Sequence, residues 1–327
     1  MSGMVSAVHV SEIKLPAEKS DGLEIHTVGL AVVQEKYLVF SSHYDKANDY
    51  NECIPVNSED TGIAKVIDIR RNVLTSEIDV KAKVIDVINI EEEQIALAVR
   101  SEVGSFKIEL ISVSELGSLV KNRQIELPSG LVFSGFTYSK GNLYIAAFTQ
   151  VLIVDMQGNQ LKTFNSCKQG MSVNGFTLYI CSDFEELEDG ALFKFADKIA
   201  VSPDNGTIYV TDIANFCVTS FSPDGELKTF SKIQDRDERE EDPGLQGIEV
   251  DNTGTVFVND VFRLKLYVLC QESNTFETLI DGRKGPFTIS KSGNKLYVAM
   301  NNAVHIYEVR KRVPSTFRTL LPNCLLL

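Results

Sequence analysis

The sharpest chemical signal in the chain is Cys324-Leu325-Leu326-Leu327, a cysteine followed by two aliphatic residues and a final leucine. A thiol in that setting is an acceptor for a geranylgeranyl chain. Arg310, Lys311, Arg312 and Arg318 precede it. One prenyl chain holds a bilayer only with a second signal, and cations against anionic lipid supply one. Cys324 is therefore the candidate lipidation site, with an ordinary apolar end as the alternative reading.

Other chemistry is sparse. His9, His26, His43 and His305 are scattered, with no evident base and nucleophile pair. The chain has no Gly-x-Ser-x-Gly elbow, phosphate-binding loop or paired-histidine zinc helix. Its cysteines, at 53, 167, 181, 217, 270 and 324, form no CxxC and have no histidine at metal-ligand spacing. Most fall in apolar runs, where a free thiol acts as a small hydrophobe, so a reducing compartment is expected. The run Asp235-Arg-Asp-Glu-Arg-Glu-Glu-Asp242 lacks the glycine and the closing glutamate of a calcium loop, and reads as a solvated connection. No catalytic residue, metal ligand or cofactor is expected.

The 32 basic and 45 acidic residues leave a net charge of −13. That balance argues against DNA and makes RNA a secondary reading, because a basic field supplies most phosphate-backbone affinity. The first ten residues show no positive start and no long apolar run, and no window reaches the roughly 18 apolar residues of a spanning helix. The expectation is a cytoplasmic chain, held at a membrane face where Cys324 is prenylated.

The elements that must carry any site are short strands. Ala196 to Phe230 reads as strand, turn, strand, loop, strand, Ser222-Pro-Asp-Gly225 turn, strand. Proline presets φ at the second turn position and glycine tolerates the exit. Four antiparallel strands joined this way form a propeller blade. Second strands begin near residues 37, 95, 143, 208, 256 and 296, and the repetition marks a radial architecture. The longest step, from Leu143 to Ile208, holds another strand-like run at 177–182. Splitting it would give blades well short of the roughly 40 to 50 residues a blade needs. The spacing predicts an all-β, six-bladed β-propeller over 1–309 with a hairpin inserted near 165–195, seven blades being the alternative. Residues 310–327 form a flexible tail. Residues 8–15 should add a strand to the last blade and close the ring.

Ile208-Tyr-Val-Thr-Asp-Ile-Ala-Asn215 and Phe221-Ser-Pro-Asp-Gly225 resemble an NHL repeat. The likeness covers about residues 20 to 309, and the chain is similar to the C-terminal propellers of tripartite-motif proteins. Phe216 and Cys217 replace the usual His and Arg, and no RING or B-box cysteine ladder is present, so ligase activity does not carry over. The resemblance implies a recognition module, and the acidic balance favours protein over RNA. Asp212 and Asp260 end second strands as NHL aspartates do, and are expected to brace blades by accepting hydrogen bonds. The last four residues are similar to the tails of Rho-family GTPases.

In such a ring the loops between second and third strands share one face, the expected docking surface. Candidate partner-binding residues there are His43, Tyr44, Tyr50, Arg100, Asn215, Phe216, Arg263 and Asn301, with Asp260 beside them. The functional expectation is a non-catalytic protein-binding scaffold. A metal-dependent lactonase of the gluconolactonase type and an RNA-binding propeller are the alternatives.

Overall fold

The described residues are all-β, with 70% of them in strands. The computed structural model describes residues 5–15, 24–45, 62–101, 105–148, 150–165, 171–173, 176–178, 192–213, 215–233, 244–270, 273–281, 288–300 and 303–311. Six four-stranded antiparallel sheets form a six-bladed propeller. Strand β1 (Val5–Lys14) comes first in sequence and belongs to the last blade. Blade 1 holds β2 (Glu24–Val33), β3 (Tyr37–Asp45), β4 (Gly62–Asp68) and β5 (Val73–Val80). Blade 2 holds β6 (Lys83–Glu91), β7 (Gln94–Arg100), β8 (Phe106–Val113) and β9 (Leu119–Glu126). Blade 3 holds β10 (Gly135–Ser139), β11 (Asn142–Ala147), β12 (Gln150–Asp155) and β13 (Gln160–Asn165).

A separate hairpin follows, β14 (Met171–Val173) with β15 (Phe176–Leu178), inside the stretch where the sequence predicts an insertion. Blade 4 is β16 (Ala196–Val201), β17 (Ile208–Asp212), β18 (Cys217–Phe221) and β19 (Leu227–Lys232). Blade 5 is β20 (Leu245–Val250), β21 (Val256–Asp260), β22 (Lys265–Cys270) and β23 (Thr275–Asp281). Blade 6 is β24 (Thr288–Ser292), β25 (Lys295–Met300), β26 (Ala303–Lys311) and, fourth, β1.

Local chemistry explains the strand ends. The Ser222-Pro-Asp-Gly225 turn closes with Gly225 N–H donating to the Ser222 carbonyl at 2.9 Å. The Ser222 hydroxyl accepts from Glu226 N–H at 3.0 Å. Gly225 has φ +91°, where a side chain would strain the backbone. Burial follows strand order: β17 and β18 are buried throughout, while half of β19 is exposed. In blades 1 to 5 the register between third and fourth strands shifts at a corresponding place, for example at Ile153/Val154, Ser220/Phe221 and Leu266/Tyr267. Such a recurring bulge is a designed feature of a repeat.

The core is divided among the blade interfaces. Six apolar clusters each join two neighbours, as Val66 with Leu97, Leu110 with Leu143, Ile153 with Val210, Val218 with Val258 and Val268 with Val298. The sixth unites Ile13, Leu38 and Tyr297 and so seals blade 6 onto blade 1. Burying each such side chain contributes about 1.5–3 kcal/mol. Strand β1 pairs with β26 from Val5↔Lys311 to Lys14↔Ala303, which covers the β26 edge and gives blade 6 its fourth strand.

Candidate functional site

Strand polarity places the second-to-third-strand loops and the links between blades on one face, called here the loop face. The candidate site is built at this face in blades 3 to 5. Two aspartates fix its frame. Asp212 accepts from the backbone N–H of Lys194 at 2.7 Å, Phe195 at 3.1 Å and Asn215 at 3.2 Å, and from the Asn215 amide at 2.7 Å. Burial pushes its carboxyl upward, and these donors pull against that shift. Asp260 accepts from the N–H groups of Gly244, Phe262 and Arg263 at 3.0, 3.1 and 3.1 Å. Both aspartates are fully buried. Each ties its own second strand to the link that enters the blade, which is the bracing role expected from the sequence.

These loops, and the corresponding loop of blade 3, carry aromatic and apolar residues in left-handed backbone. Phe148 (φ +48°), Phe216 (φ +50°) and Leu264 (φ +58°) each stand just before a third strand. A non-glycine residue there costs roughly 1–2 kcal/mol. Strain of this kind persists only where surrounding contacts impose it, and it gathers at functional positions. Phe148 packs on Phe195 with ring centroids 4.1 Å apart. Phe216 is half-buried. Phe262 is 57% exposed, lying over Gly244, where a Cβ would stand 2.7 Å from its ring.

The sequence-predicted contact residues divide. Arg100, Asn215, Phe216, Arg263 and Asp260 all lie at the loop face. His43 and Tyr44 fall in β3, with side chains outside the described residues, and Tyr50, Asn301 and Cys324 lie outside them altogether. Two expected surface contacts point inward instead. The Arg263 side chain is only 3% exposed, with Nε 3.8 Å from Asp260 Oδ2, and Asn215 is bonded to Asp212. Their short spacing from those aspartates lets each complete the brace. Arg100 is half-buried, its guanidinium 5.7 Å from the Phe106 ring. Phe148, Phe195 and Phe262 were missed by sequence reading, although superposing the second-to-third-strand loops puts Phe148 and Phe262 beside Phe216.

A second cluster sits at the axis, ringed by the inner strands β2, β6, β10, β16, β20 and β24. Register shifts at Val84/Asp86 and Ala196/Ile199 let consecutive polar residues leave the strand plane there. Lys198 of blade 4 spans blade 3 to reach Asp86 of blade 2, with Nζ 3.3 Å from Oδ2, and donates to the Ser134 carbonyl at 2.9 Å. Gly135 permits the crossing: a Cβ there would lie 2.7 Å from Lys198 Cδ and 2.8 Å from the Asp197 carbonyl oxygen. Burial opposes the Lys198 charge, but Asp86 and Asp197 outweigh it and hold the ammonium above its ordinary value. Burial likewise raises Asp86, countered by Lys198 and by the Val87 and Phe136 N–H groups. Those contacts favour the ion pair. Asp197 is pushed up to about 6, by burial and by Asp86, with Lys198 opposing. Glu249 is pushed up to about 8 by burial and by Asp86, with Lys291 opposing.

Among the described residues no group of three or more His, Cys, Asp or Glu is placed to hold a metal. Burial drives the Cys217 thiol far up, so it is no nucleophile at neutral pH. No helix among the described residues is long and apolar enough to cross a membrane.

No model of a known protein family matches the sequence, and no curated protein matches it. Solved structures do match. A protein of unknown function from Bacteroides thetaiotaomicron superposes with TM-score 0.61 at 13% identity, over 94% of this chain and 76% of that one. A PQQ-bound aldose sugar dehydrogenase from Streptomyces coelicolor gives 0.57 at 11%, over 94% and 99%. An inactivated virginiamycin B lyase from Staphylococcus aureus, with quinupristin, gives 0.53 at 12%, over 93% and 99%. The chain is a six-bladed β-propeller. At these identities the likeness is one of fold, and function lives in the site.

Proposed function

We propose that this propeller is a non-catalytic, NHL-like binding platform that docks a protein partner on the loop face of blades 3 to 5. The observation that carries the reading is the set of aromatic residues there, held at strained backbone or exposed above a braced frame. Large rigid aromatic rings supply contact area at low entropic cost and are enriched among interface hot spots. The net charge of −13 favours protein over a phosphate backbone as partner.

The test is a quantitative affinity capture with three baits: the native chain, a Phe216→Ala/Phe262→Ala variant, and a Leu116→Ala control. Leu116 is 83% exposed in the β8–β9 turn, on the opposite face. Partners held by the native chain should fall at least tenfold with the double variant and stay with the control, a loss of about 1.4 kcal/mol or more. Equal recovery by all three baits would sink the proposal.

A further inference from the structure

The ring is closed by two strands from distant parts of the chain, β1 and β26, and a pair of histidines sits in that seam. His9 Nε2 lies 3.4 Å from His305 Nδ1. The two rings have centroids 5.5 Å apart, and His9 meets Tyr307 edge-on at 5.3 Å. Glu12, the register partner of His305, places Oε2 3.9 Å from His305 Nδ1. We infer that this pair is an acid-sensitive latch that loosens the closing strand β1 when both imidazoles are charged.

At this separation one imidazole can donate to the other, the roles depending on the tautomer. A first added proton is tolerated because Glu12 faces it. A second places like charges at contact distance against the single facing carboxylate of Glu12, among the described residues. The surrounding charges, among the described residues, are few. On β1 they are Glu12 and Lys14. On β26, Glu308 and Arg310 bond one another. Strand β25 sets Val298 opposite His305, and its one charged residue, Lys295, pairs with Glu308 at the far end. Strand β23 of blade 5, which touches β1, carries Glu277 and Asp281, the latter in register with Lys265. Consistently, burial and His9 hold His305 below its ordinary value, against Glu12.

The direction follows from linkage. A histidine whose folded pKa is depressed contributes stability that is present above the unfolded value of about 6.5 and lost as pH falls below it. The seam is therefore firm at pH 8 and weakened near pH 5. Because Ile13 of β1 belongs to the apolar cluster joining blades 6 and 1, loosening the strand would free the β26 edge and open that interface.

Amide exchange resolved by strand tests this on the intact chain. Protection factors, corrected for intrinsic rate, should fall about tenfold for residues 5–14 between pH 8 and pH 5, relative to the fourth strands β19 and β23. His9→Gln and His305→Gln each keep a hydrogen-bonding side chain without the second charge. Each should hold β1 protection level with those reference strands across the range. Native β1 tracking β19 and β23 at both pH values would overturn the latch. So would a selective acid-induced loss that persists in both variants.

Discussion

Asp212 is a buried carboxylate that accepts four hydrogen bonds. Asp212→Ala strands the N–H groups of Lys194, Phe195 and Asn215 and should cost about 2–4 kcal/mol. Asn215→Ala removes one donor and should cost about 1 kcal/mol. The denaturant midpoints of the two variants measure this, and equal shifts would contradict the bracing role. The bracing function of Asp212 and Asp260 was legible in the sequence through their resemblance to the aspartates that end NHL second strands. The inward turn of Arg263 was not. Sequence spacing puts a residue on a face, but whether a long side chain reaches solvent or folds onto a buried carboxylate depends on the packing around it.

At the level of elements, turn chemistry and the recurrence of apolar, β-branched and aromatic runs did most of the work. The Ser222-Pro-Asp-Gly225 turn, the second strands starting near 37, 95, 143, 208, 256 and 296, and the hairpin after β13 all stand where the sequence puts them. The bulges in the inner strands were invisible, because one extra residue changes no composition and breaks no apolar run. Yet a bulge brings Asp197 and Lys198 toward the axis, and Gly135 lets Lys198 cross its blade. Gly135→Ala should therefore cost about 1–3 kcal/mol by overpacking. Lys198→Ala should relieve only part of that cost in the double variant, since the Asp197 carbonyl remains 2.8 Å from the new Cβ. A double-mutant cycle of unfolding free energies reads the coupling, and strict additivity would show that the strap does not pass there.

The whole ring creates an environment that no blade has alone: charged groups from blades 2, 4, 5 and 6 meet at the axis. Glu249, ordinarily near 4.5, is pushed up to about 8 there. The folded state then keeps a proton that the unfolded chain releases, so this group's contribution to stability is full below about 4.5 and is lost as pH rises through about 8. Glu249→Gln should flatten the fall in melting temperature between pH 5 and pH 9 and raise stability at the alkaline end by a few kcal/mol at most, on the order of the linked shift. Parallel melting curves for variant and native chain across that range would place Glu249 in contact with bulk water.

Strand periodicity, turn residues and repeat spacing are local properties written along the chain, and they were enough to determine an all-β ring of six blades closed by its first strand. Which side chains meet is a different matter. The Lys198–Asp86 crossing, the His9–His305 seam and the inward Arg263 join residues from different strands or blades, or depend on packing between them. Only closure of the ring sets those distances, and the low dielectric around them decides which charges survive.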